Sequence, residues 1–132
     1  MIHRYRRTVS LTAALLMAGA ACGSDPLAPF QPEVTNASDN FQLQATGVTS
    51  VTHTRTDTWQ NSGTRATVNH STTTVAGVTR LIIRDAAGTV VYDKALMPSL
   101  NEPTATGLAG NWQIELTLTS YSGALNFRVQ KL

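Results

Sequence analysis

From Phe41 onward the apolar residues of this chain recur at every second position. Phe41, Leu43 and Ala45 alternate with Gln42, Gln44 and Thr46; Trp112, Ile114, Leu116 and Leu118 share one parity, and Leu125, Phe127 and Val129 share another. A period of two belongs to a half-buried strand, because successive Cβ atoms point to opposite faces. Between these stretches lie Val51 to Trp59, with threonine at alternate positions, and three further β-branched runs at Thr67–Val75, Val78–Arg84 and Val90–Leu96. Asp85-Ala86-Ala87-Gly88-Thr89 predicts a hairpin turn, and Ser122-Gly123 predicts another. No run of ten or more residues after the N-terminal segment keeps a 3.6-residue apolar period. Short strands separated by turns, seven or eight of them within residues 41–132, predict an all-β fold. The expected architecture is an antiparallel β-sandwich or jelly-roll. Residues 97–110 form the longest connection, expected to cross between sheets with a short strand near Thr104–Leu108.

Residues 23–40 have a different character. Pro26, Pro29 and Pro32 fix φ at three close positions, which favours extended geometry over helix and predicts a tether. The competing reading packs its far end, around Phe30 or Val34, on the sandwich as an extra edge strand.

The first 22 residues carry an address. Arg4, Arg6 and Arg7 precede an apolar run from Val9 to Ala21, and the only cysteine, Cys22, follows the small residues Ala18-Gly19-Ala20-Ala21. A basic start, a short apolar stretch and small residues at its end have the order of a secretory signal. The run falls short of the ~20 residues that a membrane-spanning helix needs. With cysteine directly after the small residues, the segment resembles a bacterial lipoprotein signal. The resemblance implies a signal helix over 1–21, cleavage before Cys22, and a diacylglyceryl group on its thiol. It also implies export to the cell envelope, with the Pro-containing tether running from the lipidated Cys22 over 22–40. Gly23, where Asp would favour inner-membrane retention, points to the outer membrane. An ordinary secretory signal with an incidental Cys22 is the alternative.

Processing would change the charge. The full sequence carries ten basic and eight acidic residues, a net charge of +2. Three of the arginines precede Cys22, so the remainder has seven basic against eight acidic residues, or −1. Dispersed charge close to neutrality gives no electrostatic footprint for nucleic acid. A lipidated Cys22 leaves no thiol for a disulfide, a thiolate metal site or a cysteine nucleophile.

The C-terminal half runs strand, Asp-x-x-Gly turn, strand, long connection, Gly-x-Trp-x-Ile strand, Gly turn, strand. These are Leu81–Arg84, Asp85–Gly88, Val90–Tyr92, Gly110–Ile114, and Gly123 to Val129. This order resembles the pre-peptidase C-terminal-like domains, small β-sandwich accessories of secreted bacterial proteins. The resemblance implies a non-catalytic module serving secretion, adhesion or substrate binding.

Few side chains suggest chemistry. His53, Asp57 and His70 are the candidate metal or acid–base set, but His53 and Asp57 stand about 13 Å apart along an extended strand, too far to share an ion. A small hydrolase would have to use His53 or His70, and no Gly-x-Ser-x-Gly elbow accompanies them. Trp112 and Tyr92 are in phase with apolar neighbours and are expected in the core. Trp59 shares parity with Val51, His53, Arg55 and Asp57, a mostly polar set, and is therefore the expected exposed aromatic. The alternating threonines need no ligand, since threonine suits strands by propensity. The expectation is a lipid-anchored, non-enzymatic interaction or structural module. It has no cofactor, no metal and no catalytic residue, and meets the membrane through Cys22 and an envelope protein or polysaccharide. Its rival is a carbohydrate-binding module using Trp59, with His53 and His70 as further ligand contacts.

Overall fold

The alternating side chains become seven strands in the computed structural model, which describes residues 25–97 and 99–132. In chain order these are β1 (Glu33–Ala37), β2 (Asn40–Asn61), β3 (Ala66–His70), β4 (Thr73–Arg84), β5 (Val90–Ala95), β6 (Leu100–Pro103) and β7 (Gly110–Lys131). Residues 1–24, with the expected signal segment and Cys22, lie outside the described residues. Every pairing is antiparallel, and the fold is the all-β sandwich that the period of two predicts.

β2 and β7, of 22 residues each, pair from Asn40 opposite Gln130 to Asn61 opposite Gly110. Straight strands of that length would reach about 70 Å. Instead the register shifts three times between Ala45 and His53, and left-handed residues (Gly47 and Ser50 on β2, Ser120 on β7) sit at the irregularities. Such bulges bend a strand and increase its twist. Both strands fold over at this point, so each supplies one half to each layer. One layer holds β1, the first half of β2, the second half of β7, β3 and β6. The other holds the second half of β2, the first half of β7, β4 and β5.

The bulges also keep the apolar face inward through the bend. On β7 the buried residues are even-numbered up to Leu118 and odd-numbered from Tyr121 to Val129. Ser122-Gly123, expected to close a hairpin, is therefore part of a bend within one continuous strand. The expected separate strands on either side merge, because Val48, Gly123 and Thr74 remain in ladder contact there. The core fills with Phe41 against Phe127 (centroids 5.9 Å apart) and Trp59 against Trp112 (6.0 Å, edge to face). Each indole N–H donates to a carbonyl, Trp59 to Ala37 at 3.0 Å and Trp112 to Leu108 at 2.7 Å, which removes the cost of burying a polar tip.

The stretch expected as a tether is packed on the sandwich from Asp25 onward. Leu27 is 0% exposed, Ala28–Phe30 form a 3-10 turn, Phe30 packs on the core and β1 pairs with the start of β2. Proline is compatible with this path because the first positions of a helical turn need no N–H. The 97–110 connection does cross between layers, but its strand is β6, beside β3, rather than Thr104–Leu108. The backbone after β6 is pinned instead by single bonds: Thr104 N–H to Ala66, Ala105 N–H to Val91 and Gly107 N–H to Thr64. The predicted turn after β4 closes as expected, and the Asp85 carboxylate accepts N–H bonds from Ala87, Thr89 and Leu108 at 2.9–3.0 Å. These bonds, that of Leu108 foremost, hold its pKa below the usual carboxylate value.

Gly123 (φ 151) tests the bend directly. A Cβ there would overlap the Thr73 carbonyl oxygen on β4 and approach the Tyr121 hydroxyl. Gly123→Ala is expected to cost about 3 kcal/mol or more in urea unfolding. Gly88→Ala, at φ 83 in open space, is expected to cost only about 1–2 kcal/mol.

Candidate functional site

The odd-numbered face of β2 contains the residues of greatest chemical interest. Through most of its length this face points into the sandwich: Phe41, Leu43, Ala45, Val51 and Trp59 are all buried. His53, Arg55 and Asp57 share it and are half-buried, while Thr52, Thr54, Thr56 and Thr58 face solvent. The expectation that Trp59 is exposed is thus corrected: the indole is 0% exposed and offers no face to a sugar ring. Its phase with Val51 is right, but charged neighbours made an inward face resemble an outward one.

Those neighbours are tolerated inside because they satisfy one another. Arg55 donates from Nε and Nη2 to the two carboxylate oxygens of Asp57, at 2.7 and 3.1 Å. Its Nη1 lies 3.4 Å from Asp25 Oδ2, and His53 Nε2 lies 3.6 Å from Asp25 Oδ1. The hydrogen bond to Asp57, foremost, raises the Arg55 pKa above its ordinary value. Forked guanidinium–carboxylate geometry is the strong form of such a bond. Arg55 thus stands between the two acids, and His53 and Asp57 do not meet at a shared site. Asp25 also caps the turn that follows, accepting the Leu27 N–H at 2.9 Å. The sequence reading missed Asp25 and Arg55; the Asp-Pro-Leu order, an N–H acceptor two residues before an apolar side chain, is the signal that could have found them.

His70 belongs to the other layer, on β3 between β6 and β7. It is 2% exposed, and neither ring nitrogen has a hydrogen-bond partner among the described residues. Burial holds its pKa below the usual imidazole value, against a smaller upward pull from Glu102. Glu102 is itself engaged, accepting from Lys94 Nζ at 2.8 Å and from the Tyr92 hydroxyl at 2.9 Å across the layers. Lys94 and then Tyr92 hold the Glu102 pKa low, while burial and Glu102 push the Tyr92 phenol above its ordinary value. Proton transfer needs a base within reach of substrate, whereas His70 is enclosed by its own fold. Among the described residues no group of three or more His, Cys, Asp or Glu is arranged around a common metal position.

The outward face of the second layer is polar and regular. Cross-strand neighbours run Thr54, Thr117, Arg80 in one row and Thr56, Glu115, Ile82, Asp93 in the next. Arg80 forks onto Asp93 at 2.6 and 2.8 Å, and Arg84 reaches Glu115 at 2.7 Å. No family model matches this sequence, and a search of curated proteins finds no significant similarity.

Two measurements test these assignments. Burying the Leu27 side chain contributes about 1.5–3 kcal/mol, whereas partly exposed ion pairs contribute about 0–1 kcal/mol. Leu27→Ala is therefore expected to cost about 2–3 kcal/mol and to expose residues 25–32 to protease, with Asp25→Ala costing less than half as much. His70 binds its proton less firmly in the fold than in the unfolded chain, so protonation favours unfolding. Its contribution should weaken the fold as pH falls below about 6.5. Melting temperature measured against pH should lose that component in His70→Leu, whose stability at neutral pH is expected to equal or exceed that of the parent.

Proposed function

We propose that this chain is a lipid-anchored, cell-envelope β-sandwich acting as a non-enzymatic interaction or structural module, exported and held at the outer membrane by acyl chains on Cys22. The observation that carries this reading is the order of basic residues, apolar run and small residues that ends at Cys22. Asp25, three residues beyond Cys22, is bonded to Arg55 and approaches His53, and Leu27 is buried, so a lipid on Cys22 would hold a rigid body rather than a trailing tail. Each methylene placed in the bilayer contributes about 0.8 kcal/mol, and two or more chains hold stably.

The side chains first considered as reactive have positive structural employment. His53 and Asp57 help seat the N-terminal segment on β2, and His70 and Trp59 fill the interior. What remains for a partner is surface, foremost the polar outer face of β2, β7, β4 and β5 with its threonine rows and paired charges. Such a face suits an envelope protein or a polysaccharide by hydrogen bonding.

The anchor is tested by expressing the full-length chain and its Cys22→Ala variant and following detergent-phase partitioning. The parent is expected in the detergent phase and the variant in the aqueous phase. Unchanged partitioning of the variant would remove the basis of the reading.

A further inference from the structure

The three segments that meet at the bend are 46–52 of β2, 71–79 around the start of β4, and 117–127 of β7. None of them contains Asp, Glu, Lys or Arg. The opposite end of the sandwich carries Asp39 beside Lys131, Arg65 and Asp85. Exposed Glu33 on β1, opposite Gln44 and close to Thr46, is a charge at the rim of this end; the bend itself is uncharged and apolar at its surface. Val75 is 79% exposed and Val78 57% exposed, and a shallow, mainly apolar groove runs between Val48, Thr49, Thr73, Val75, Gly123 and Ala124. Exposed apolar side chains gathered beside an apolar groove make this end a candidate interaction surface.

Chain length says what covers it. Asp25 is fixed beside His53, two residues past Val51 at the edge of the bend. Four strand residues, about 13 Å, separate His53 from Thr49, whereas eight, about 26 Å, separate it from Asn61 at the charged end. Cys22 is three residues before Asp25 and lies within about 11 Å of it whatever path the backbone takes. An acyl anchor there brings the bilayer to the uncharged end.

We infer that the bend of the sandwich, centred on Val75 and the neighbouring groove, rests on the lipid surface of the membrane to which Cys22 is anchored. This rests on the lipid-anchor reading above. The bend needs no strong affinity of its own, because the acyl chains supply it. With Glu33 at the rim rather than on the bend itself, docking there avoids the cost of stripping water from ions at the bilayer surface. The charged end and the threonine-bearing outer face are then left clear of the membrane.

The test uses the full-length lipidated protein. With Cys22 acylated, an introduced cysteine is the only reactive thiol, so Val75→Cys and, at the opposite end, Ala87→Cys each take a single environment-sensitive fluorophore. The labelled proteins are reconstituted into vesicles of phosphatidylethanolamine and phosphatidylglycerol containing a headgroup-nitroxide lipid. Quenching is expected to be several-fold stronger at position 75 than at 87, and to fall when Val78→Asp is added to Val75→Cys. If the proteins float with the vesicles but quench equally, the docking is overturned and the anchor stands. If they do not float with the vesicles, anchor and docking fail together. A concentration-dependent change at position 75 in the absence of vesicles would show that a second copy covers the bend, and would also overturn the assignment.

Discussion

The ladder between β2 and β7 is the interaction on which the rest of the molecule depends. It supplies the spine of both layers, and β1, β3 and β4 each pair directly with one of its two strands. Its bulges convert what would be a long flat ribbon into a closed sandwich. Close backbone approach at Gly77 and Gly123 lets β4 follow the same bend. A sheet that folds over its own centre needs no disulfide to join its layers, since the covalent chain of β2 and β7 already does so. The open sides are then closed by small devices: the segment around Leu27 on one, and Tyr92, Glu102 and Lys94 on the other.

Much of this was legible in the sequence, and for a simple reason. Alternation at Phe41–Ala45, Trp112–Leu118 and Leu125–Val129 reports directly on which side chains turn inward, and all of those apolar residues are buried. The Asp85 turn was equally clear, because Asp at its start and Gly88 at positive φ state their geometry locally. The merging of strands was hidden. A bulge and a hairpin both use Gly and Ser, and only the partner strand decides between them.

The site residues were less legible because their meaning depends on a distant partner. The face of His53, Arg55 and Asp57 looks solvated until Asp25, thirty residues before Arg55, completes the charge balance. Trp59 follows from that error: once its face turns inward, the indole has nowhere to go but against Trp112. His70 shares parity with Ala66 and Val68, both buried, so the period of two already pointed its ring inward. Proline spacing described the backbone of residues 25–32 less well than the single apolar side chain Leu27 did.

The position of β7 in the chain sets the order of events during folding. It follows every strand with which it pairs, so before it emerges only the β1–β2 and β4–β5 hairpins and the more distant β3–β6 pairing can form. Isolated two-stranded hairpins are marginal in water, and the contacts that join the layers span long stretches of sequence, which slows closure. The polypeptide is therefore held open until its last long strand arrives, and then closes as a unit. That delay is built into the topology and needs no separate device.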